Sequence, residues 1–145
     1  MPLLRAALSW NFVLATAICA SLLAQLIKVL LNLFIFHRFI AERMWGAGGM
    51  PSSHSATVCA MVVATGRYCG VNSPLFAIAA VLSIIVMYDA MGVRYETGEQ
   101  AKVLNRMFTE WMDQGFEQFQ LPHGKKLKEM VGHTPIEVVT GAALG

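Results

Sequence analysis

Apolar positions along this chain fall in long blocks, not in the dispersed pattern of a water-soluble fold. Residues 6–36 hold a single formal charge, Lys28, and residues 73–93 hold only Asp89. Each block exceeds the roughly 20 residues that a helix needs to cross a bilayer core. A shorter apolar run over 53–65 reaches about that length with its flanks and predicts a third span over 51–67. A fourth is expected over 134–145, where twelve residues rise about 18 Å and cover part of a bilayer. Polar stretches over 37–49, 66–72 and 94–132 separate these blocks. In the last of them Val103, Leu104, Met107, Phe108, Trp111 and Met112 recur at helical spacing, with Glu99, Lys102, Arg106, Glu110 and Asp113 on the remaining faces. That pattern predicts an amphipathic helix of about five turns, its apolar stripe lying on the membrane surface or against the bundle. Residues 115–124 keep no period and read as a loop, and 125–131 as a short basic helix or turn. The expected fold class is all-α: a polytopic membrane helical bundle in one domain over 1–145, with about four transmembrane helices plus the amphipathic one.

Composition agrees, with 56% of the 145 residues hydrophobic and 14% charged. The first span follows Arg5 as a signal peptide would, but it is too long and carries Gln25, Lys28 and Asn32 in its second half, so it is expected to be retained. Cys19, Cys59 and Cys69 lie in or beside apolar segments without metal-ligand spacing and read as small buried hydrophobes. The net charge of +2 matters only through its distribution. If the spans alternate, Arg5 and Arg67 share one face, whereas Arg38, Arg43, Arg94, Lys102, Arg106, Lys125, Lys126 and Lys128 share the other. The positive-inside rule places the second face in the cytoplasm. Basic residues kept for an anionic ligand would produce the same bias.

Candidate chemistry gathers on that second face. Ser21, Gln25, Lys28 and Asn32 are spaced four, three and four residues apart, which places them within about 60° on one helix face. A lysine near the bilayer centre costs about 2.5 to 3.5 kcal/mol on insertion scales. Lys28 therefore either faces a cavity or partner, or sits near the helix end and snorkels to the headgroups. In "GGMPSSHSA" Gly48 and Gly49 give a flexible approach, Ser52 or Ser53 can cap the following helix, and His54 falls in its first turn. A helix amino terminus offers free N–H groups and partial positive charge, which suit a phosphate. In "GHTPIEVVTGAALG" Thr134, Pro135 and Glu137 fit a capping box, and His133 immediately precedes it. The box alone accounts for Glu137 as a structural residue. Topology thus brings two histidines, two capped helix starts and Arg94 to one end of the bundle. Phosphoryl transfer through histidine needs such a set: an attacking imidazole, a carboxylate that fixes its tautomer, a second histidine for the leaving oxygen, and cations for the remaining oxygens.

The two stretches together resemble the phosphatidic acid phosphatase type 2 superfamily, which includes the vanadium haloperoxidases. The resemblance is closer to its divergent bacterial and plastid branch of small membrane proteins, through "SPLFAIAAVLSIIVMYDAMGVR", "GEQAKVLN" and "LKEMVGHTPIEV", and covers about 25–145. It implies that Pro51, Ser52, Ser53 and His54 correspond to the superfamily's Pro-Ser-Gly-His element, with His54 as the acid on the leaving group and the Ser52 and Ser53 N–H groups on the phosphate. His133 is implied as nucleophile and Glu137 as its orienting carboxylate. The phosphate clamp departs from the pattern. Lys28 is followed by Arg38 after nine residues rather than six, no proline follows Arg38, and Leu127 stands where the last element has an arginine. Lys126 and Lys128 flank that position, and Arg94 could approach from another loop.

The function expected from this resemblance is a membrane-embedded, metal-independent phosphoric monoester hydrolase. It would act on a lipid or isoprenoid phosphate or diphosphate through a phosphohistidine. No cofactor and no nucleic acid are expected, and a chain this small could enclose its site as a homo-oligomer. The expected location is a bacterial inner or cell membrane, with the site on the cytoplasmic face. The alternative is a weak or inactive relative that binds anionic lipid headgroups or serves as a structural subunit. Proton or ion translocation along Ser21, Gln25, Lys28 and Asn32 with Asp89 is a third reading.

Overall fold

Five helices form in the described residues, 11–36, 49–114, 126–129 and 131–145, of a computed structural model. They are α1 (Phe12–Phe36), α2 (Ser53–Cys69), α3 (Pro74–Met91), α4 (Val93–Asp113) and α5 (Pro135–Leu144). Each boundary has a local chemical cause. Asn11 Oδ1 accepts the N–H groups of Val13 and Leu14 at 3.1 and 3.2 Å and starts α1. Ser52 caps α2 by accepting from the Ser55 N–H at 3.3 Å, and Gly70 at φ 84° ends that helix. Ser73 caps α3 ahead of Pro74 at its first position. Gly92 alone separates α3 from α4.

α2 is the hub, with α1, α3 and α5 all packed on it. Its contact faces are lined with small residues. Ala56, Ala60 and Ala64 are buried on α2, Ala17 and Ala24 on α1, and Ala79 and Ala90 on α3. On α5 Gly141 lies against the Ser52 backbone, and Gly145, just past its end, lies against Ala56 and Ala60. Small residues four apart on both helices let the backbones meet, which is how helices associate without a hydrophobic driving force. The large apolar side chains point outward: Leu22 is 64% exposed, Phe34 73% and Ile84 63%. In water this surface would be a penalty. Against lipid it is the expected solvent-facing side.

Two helical stretches are long and apolar enough to cross a membrane, one in α1 and one beginning at Pro74, and only 17% of each most apolar window is buried inside the protein. By length and apolarity the structure therefore supports two of the four expected crossings. α2 and α5, at 17 and 10 residues, are shorter. The amphipathic helix is longer than its periodicity indicated, because it starts directly after Gly92. The expected short basic helix or turn over 125–131 is irregular where described. The Leu127 N–H and carbonyl are both taken by the Asn105 side chain, so they are not available to a helical turn. Arg38 and the expected loop over 115–124 lie outside the described residues, as do Arg5, Arg43 and Lys125.

Candidate active site

The amino-terminal ends of α2 and α5 lie side by side at one end of the bundle. The Ser52 N–H donates to the Glu137 carbonyl at 3.0 Å, joining the two motifs through their backbones. His133 precedes α5 and is 2% exposed. Its own N–H is held by the carbonyl of Ala90 at 2.9 Å, at the end of α3. His54, the second residue of α2, faces it with ring centroids 6.1 Å apart and planes at 61°.

Glu137 does two things at once. Its Oε2 accepts the Thr134 N–H at 3.0 Å, completing the capping box, and lies 3.2 Å from His133 Nδ1. The capping and orienting readings of this carboxylate are therefore both realised by one oxygen. A carboxylate can only accept, so Nδ1 carries the ring proton and Nε2 presents its lone pair. Nε2 is buried and has no hydrogen-bond partner among the described residues. Burial holds the His133 pKa below its ordinary 6.5, with Lys28 and His54 acting in the same direction against the hydrogen bond and charge of Glu137. The imidazole is accordingly neutral near pH 7.

Lys28 is 2% exposed on the inner face of α1, so the polar stripe does turn inward. Its aliphatic stem packs on Gly49, whose φ of 85° suits glycine. Its charge acts on Glu137, His133 and His54 together. Gln25 Oε1, one turn earlier, is likewise buried, without a partner among the described residues. Arg94, on the first turn of α4, borders a cavity of about 20 Å³ with His54, His133, Val86, Ala90 and Gly132. Its Nε is held by Asp89 Oδ2 at 2.5 Å.

The Ser52 N–H is already committed to Glu137, and its hydroxyl is shared with the Ser55 N–H and hydroxyl. Ser52 is thus a fastener of the site, and the first-turn N–H groups of Ser53 and His54 are the ones that helix geometry leaves to a ligand. Lys126 is exposed and adjoins Leu127, which is held at Asn105, eleven residues or about 16 Å along α4 from Arg94. It is not brought to the histidines. Arg38 lies outside the described residues.

Sequence reasoning missed Asp89 as the partner of Arg94, and the small-residue contacts of Gly141 and Gly145. The available signals were the lone charge at the end of an apolar helix and the four-residue spacing of small residues on α2 and α5.

The chain belongs to the Divergent PAP2 family, whose model matches residues 9–145. It is similar to the uncharacterized membrane protein YuiD of Bacillus subtilis (strain 168), at 38% identity over 141 residues, covering 93% of this chain and 89% of that protein. No solved structure matches it.

Proposed function

We propose that this membrane protein is a phosphatase that transfers the phosphoryl group of a lipid or isoprenoid phosphate to His133 and then to water. The observation that carries the reading is the state of His133: Nδ1 bound to Glu137 and Nε2 buried without a partner among the described residues, beside His54 and Arg94. In the first step Nε2 attacks phosphorus and the bond to the lipid oxygen breaks, with His54, protonated once the negative charge of the substrate phosphate binds beside it, delivering its proton to that oxygen. In the second, His54 takes a proton from water, whose oxygen attacks phosphorus and releases phosphate and neutral His133. Lys28, Arg94 and the first-turn N–H groups of α2 hold the non-bridging oxygens. The outward apolar surface of the bundle suits a substrate whose tail stays in the bilayer. The excess of basic residues at this end favours the cytoplasmic face.

A second reading, an anionic-headgroup binder or structural subunit with little turnover, draws support from Leu127 and from the cavity of about 20 Å³, which admits a phosphate only if Arg94 or His54 swings outward. Both of those residues are exposed. The deciding experiment is phosphate release from a panel of lipid phosphates by detergent-purified protein, with and without EDTA. Turnover that survives EDTA and disappears in His133→Ala supports the phosphatase. Equal inactivity of wild type and His133→Ala, with lipid copurifying, supports the binder.

A further inference from the structure

The described residues before His133, 126–129 and 131–132, form no helix or strand, so the position of His133 depends on what this segment binds. One face of α4 supplies the binding. Asn105, 5% exposed, donates from Nδ2 to the Leu127 carbonyl at 2.9 Å and to Glu129 Oε1 at 2.8 Å, and its Oδ1 accepts the Leu127 N–H at 2.8 Å. The carboxamide thereby pairs with both backbone groups of one residue, as a neighbouring strand would. Two turns nearer the histidines, a Cβ on Gly98 would come 2.6 Å from the Glu129 carbonyl oxygen and 2.8 Å from that of Val131, so only glycine lets the segment lie this close. Beyond it, Gly132 at φ 84° rests against the backbone of Arg94 and Tyr95, and the His133 N–H closes on Ala90. Arg94, Gly98, Ala101 and Asn105 fall four, three and four residues apart on one helix face.

Gly132 holds the end of the segment next to His133, since a side chain there would enter the backbone of Arg94 and Tyr95. Asn105 holds the other end, where losing these contacts would leave its nearly buried carboxamide and the backbone groups of half-buried Leu127 without them.

We propose that Asn105 is the positioning residue for His133: its carboxamide holds the Leu127 end of segment 127–133 on α4 and so fixes where the His133 imidazole stands. The catalytic consequence rests on the phosphatase reading; the clamp itself does not. The placement error that matters is small, since a misplacement of about 1 Å can cost about 10²-fold in rate.

The test uses the full chain in detergent as wild type, Asn105→Asp, Asn105→Ala and Glu129→Gln. Asn105→Asp is isosteric and keeps the acceptor, but loses both donors and sets a carboxylate beside Glu129. Three readouts are compared: amide hydrogen exchange of peptides over 127–133, the rate at which diethyl pyrocarbonate modifies His133, and kcat and KM on dioleoyl phosphatidic acid. In both Asn105 variants, exchange over 127–133 and modification of His133 are expected to rise about tenfold while α1 and α3 peptides stay protected, with kcat falling about 10- to 100-fold and KM nearly unchanged. Glu129→Gln, whose side-chain carbonyl still accepts from Asn105, is expected to retain wild-type behaviour. Unchanged exchange and modification in Asn105→Asp overturn the clamp, and faster exchange with unchanged kcat overturns the positioning role. If wild type releases no phosphate, the phosphatase reading fails, and exchange and modification still judge the clamp. If Asn105→Ala loses protection throughout, the isosteric variant decides.

Discussion

Ser52 and Glu137 are joined through their backbones, the Ser52 N–H donating to the Glu137 carbonyl at 3.0 Å, so the two histidine motifs are fastened directly to each other. The contact exists because Gly141, one turn along α5, presents no side chain to the Ser52 backbone.

Gly141→Ala puts a methyl group into that backbone. Overpacking of a tight contact costs about 1–3 kcal/mol, and the variant is expected to unfold at lower temperature in detergent and to lose lipid phosphatase turnover. Circular dichroism melts together with phosphate release check both outcomes.

Glu137→Gln keeps an acceptor for Thr134 and His133 but removes the charge that stabilises the imidazole as it becomes cationic. Turnover is expected to fall about 10²- to 10⁴-fold with the melting temperature nearly unchanged. A comparable loss of stability would make Glu137 a capping residue alone.

The pH dependence follows from His133. Its folded pKa lies below the ordinary 6.5 through burial, so the nucleophile remains neutral until the pH falls below that value. The acidic limb of kcat/KM is expected there, and the need for a protonated His54 adds an alkaline limb, so the profile is bell-shaped. Stability runs in the same direction as the acidic limb. Between the folded and unfolded pKa values the unfolded chain binds more protons, so the contribution is present above 6.5 and lost as pH falls through the folded pKa. A pH–rate profile and pH-dependent melts, each compared with His133→Ala, test the two claims.

Lys28→Met removes the buried cation without opening a cavity. Loss of a charge-assisted hydrogen bond to phosphate, worth about 1.5–3 kcal/mol, is expected to raise KM about 10- to 100-fold. A KM equal to wild type would show that Lys28 serves only to balance Glu137.

The inside-out packing is testable away from the site. Ala56→Leu, at a position with no exposed surface, is expected to destabilise the bundle by about 1–3 kcal/mol. Leu22→Ala, at 64% exposure, should change stability by no more than about 0.5 kcal/mol. Melts in lipid nanodiscs distinguish them, and a larger loss for Leu22→Ala would mean that α1 faces protein there.

The all-helical membrane class is legible in the amino-acid order, because uninterrupted apolar blocks and capping signals act within a few residues of where they are written. Ser52, Ser73, Thr134 and Pro135 begin helices in the structure as their side chains dictate, and the inward turn of Lys28 was legible in its spacing from Gln25 and Asn32. The three-dimensional packing alone shows that the Ser52 N–H is occupied, that Glu137 caps a helix and holds His133 with one oxygen, that Lys126 stands beside the Asn105 end of α4, and that Asn105 grips the segment leading to His133. These are contacts between residues far apart in the chain. They depend on how closely two backbones approach, and that distance is set by glycine and alanine, whose small size carries no chemical label that sequence reading can follow.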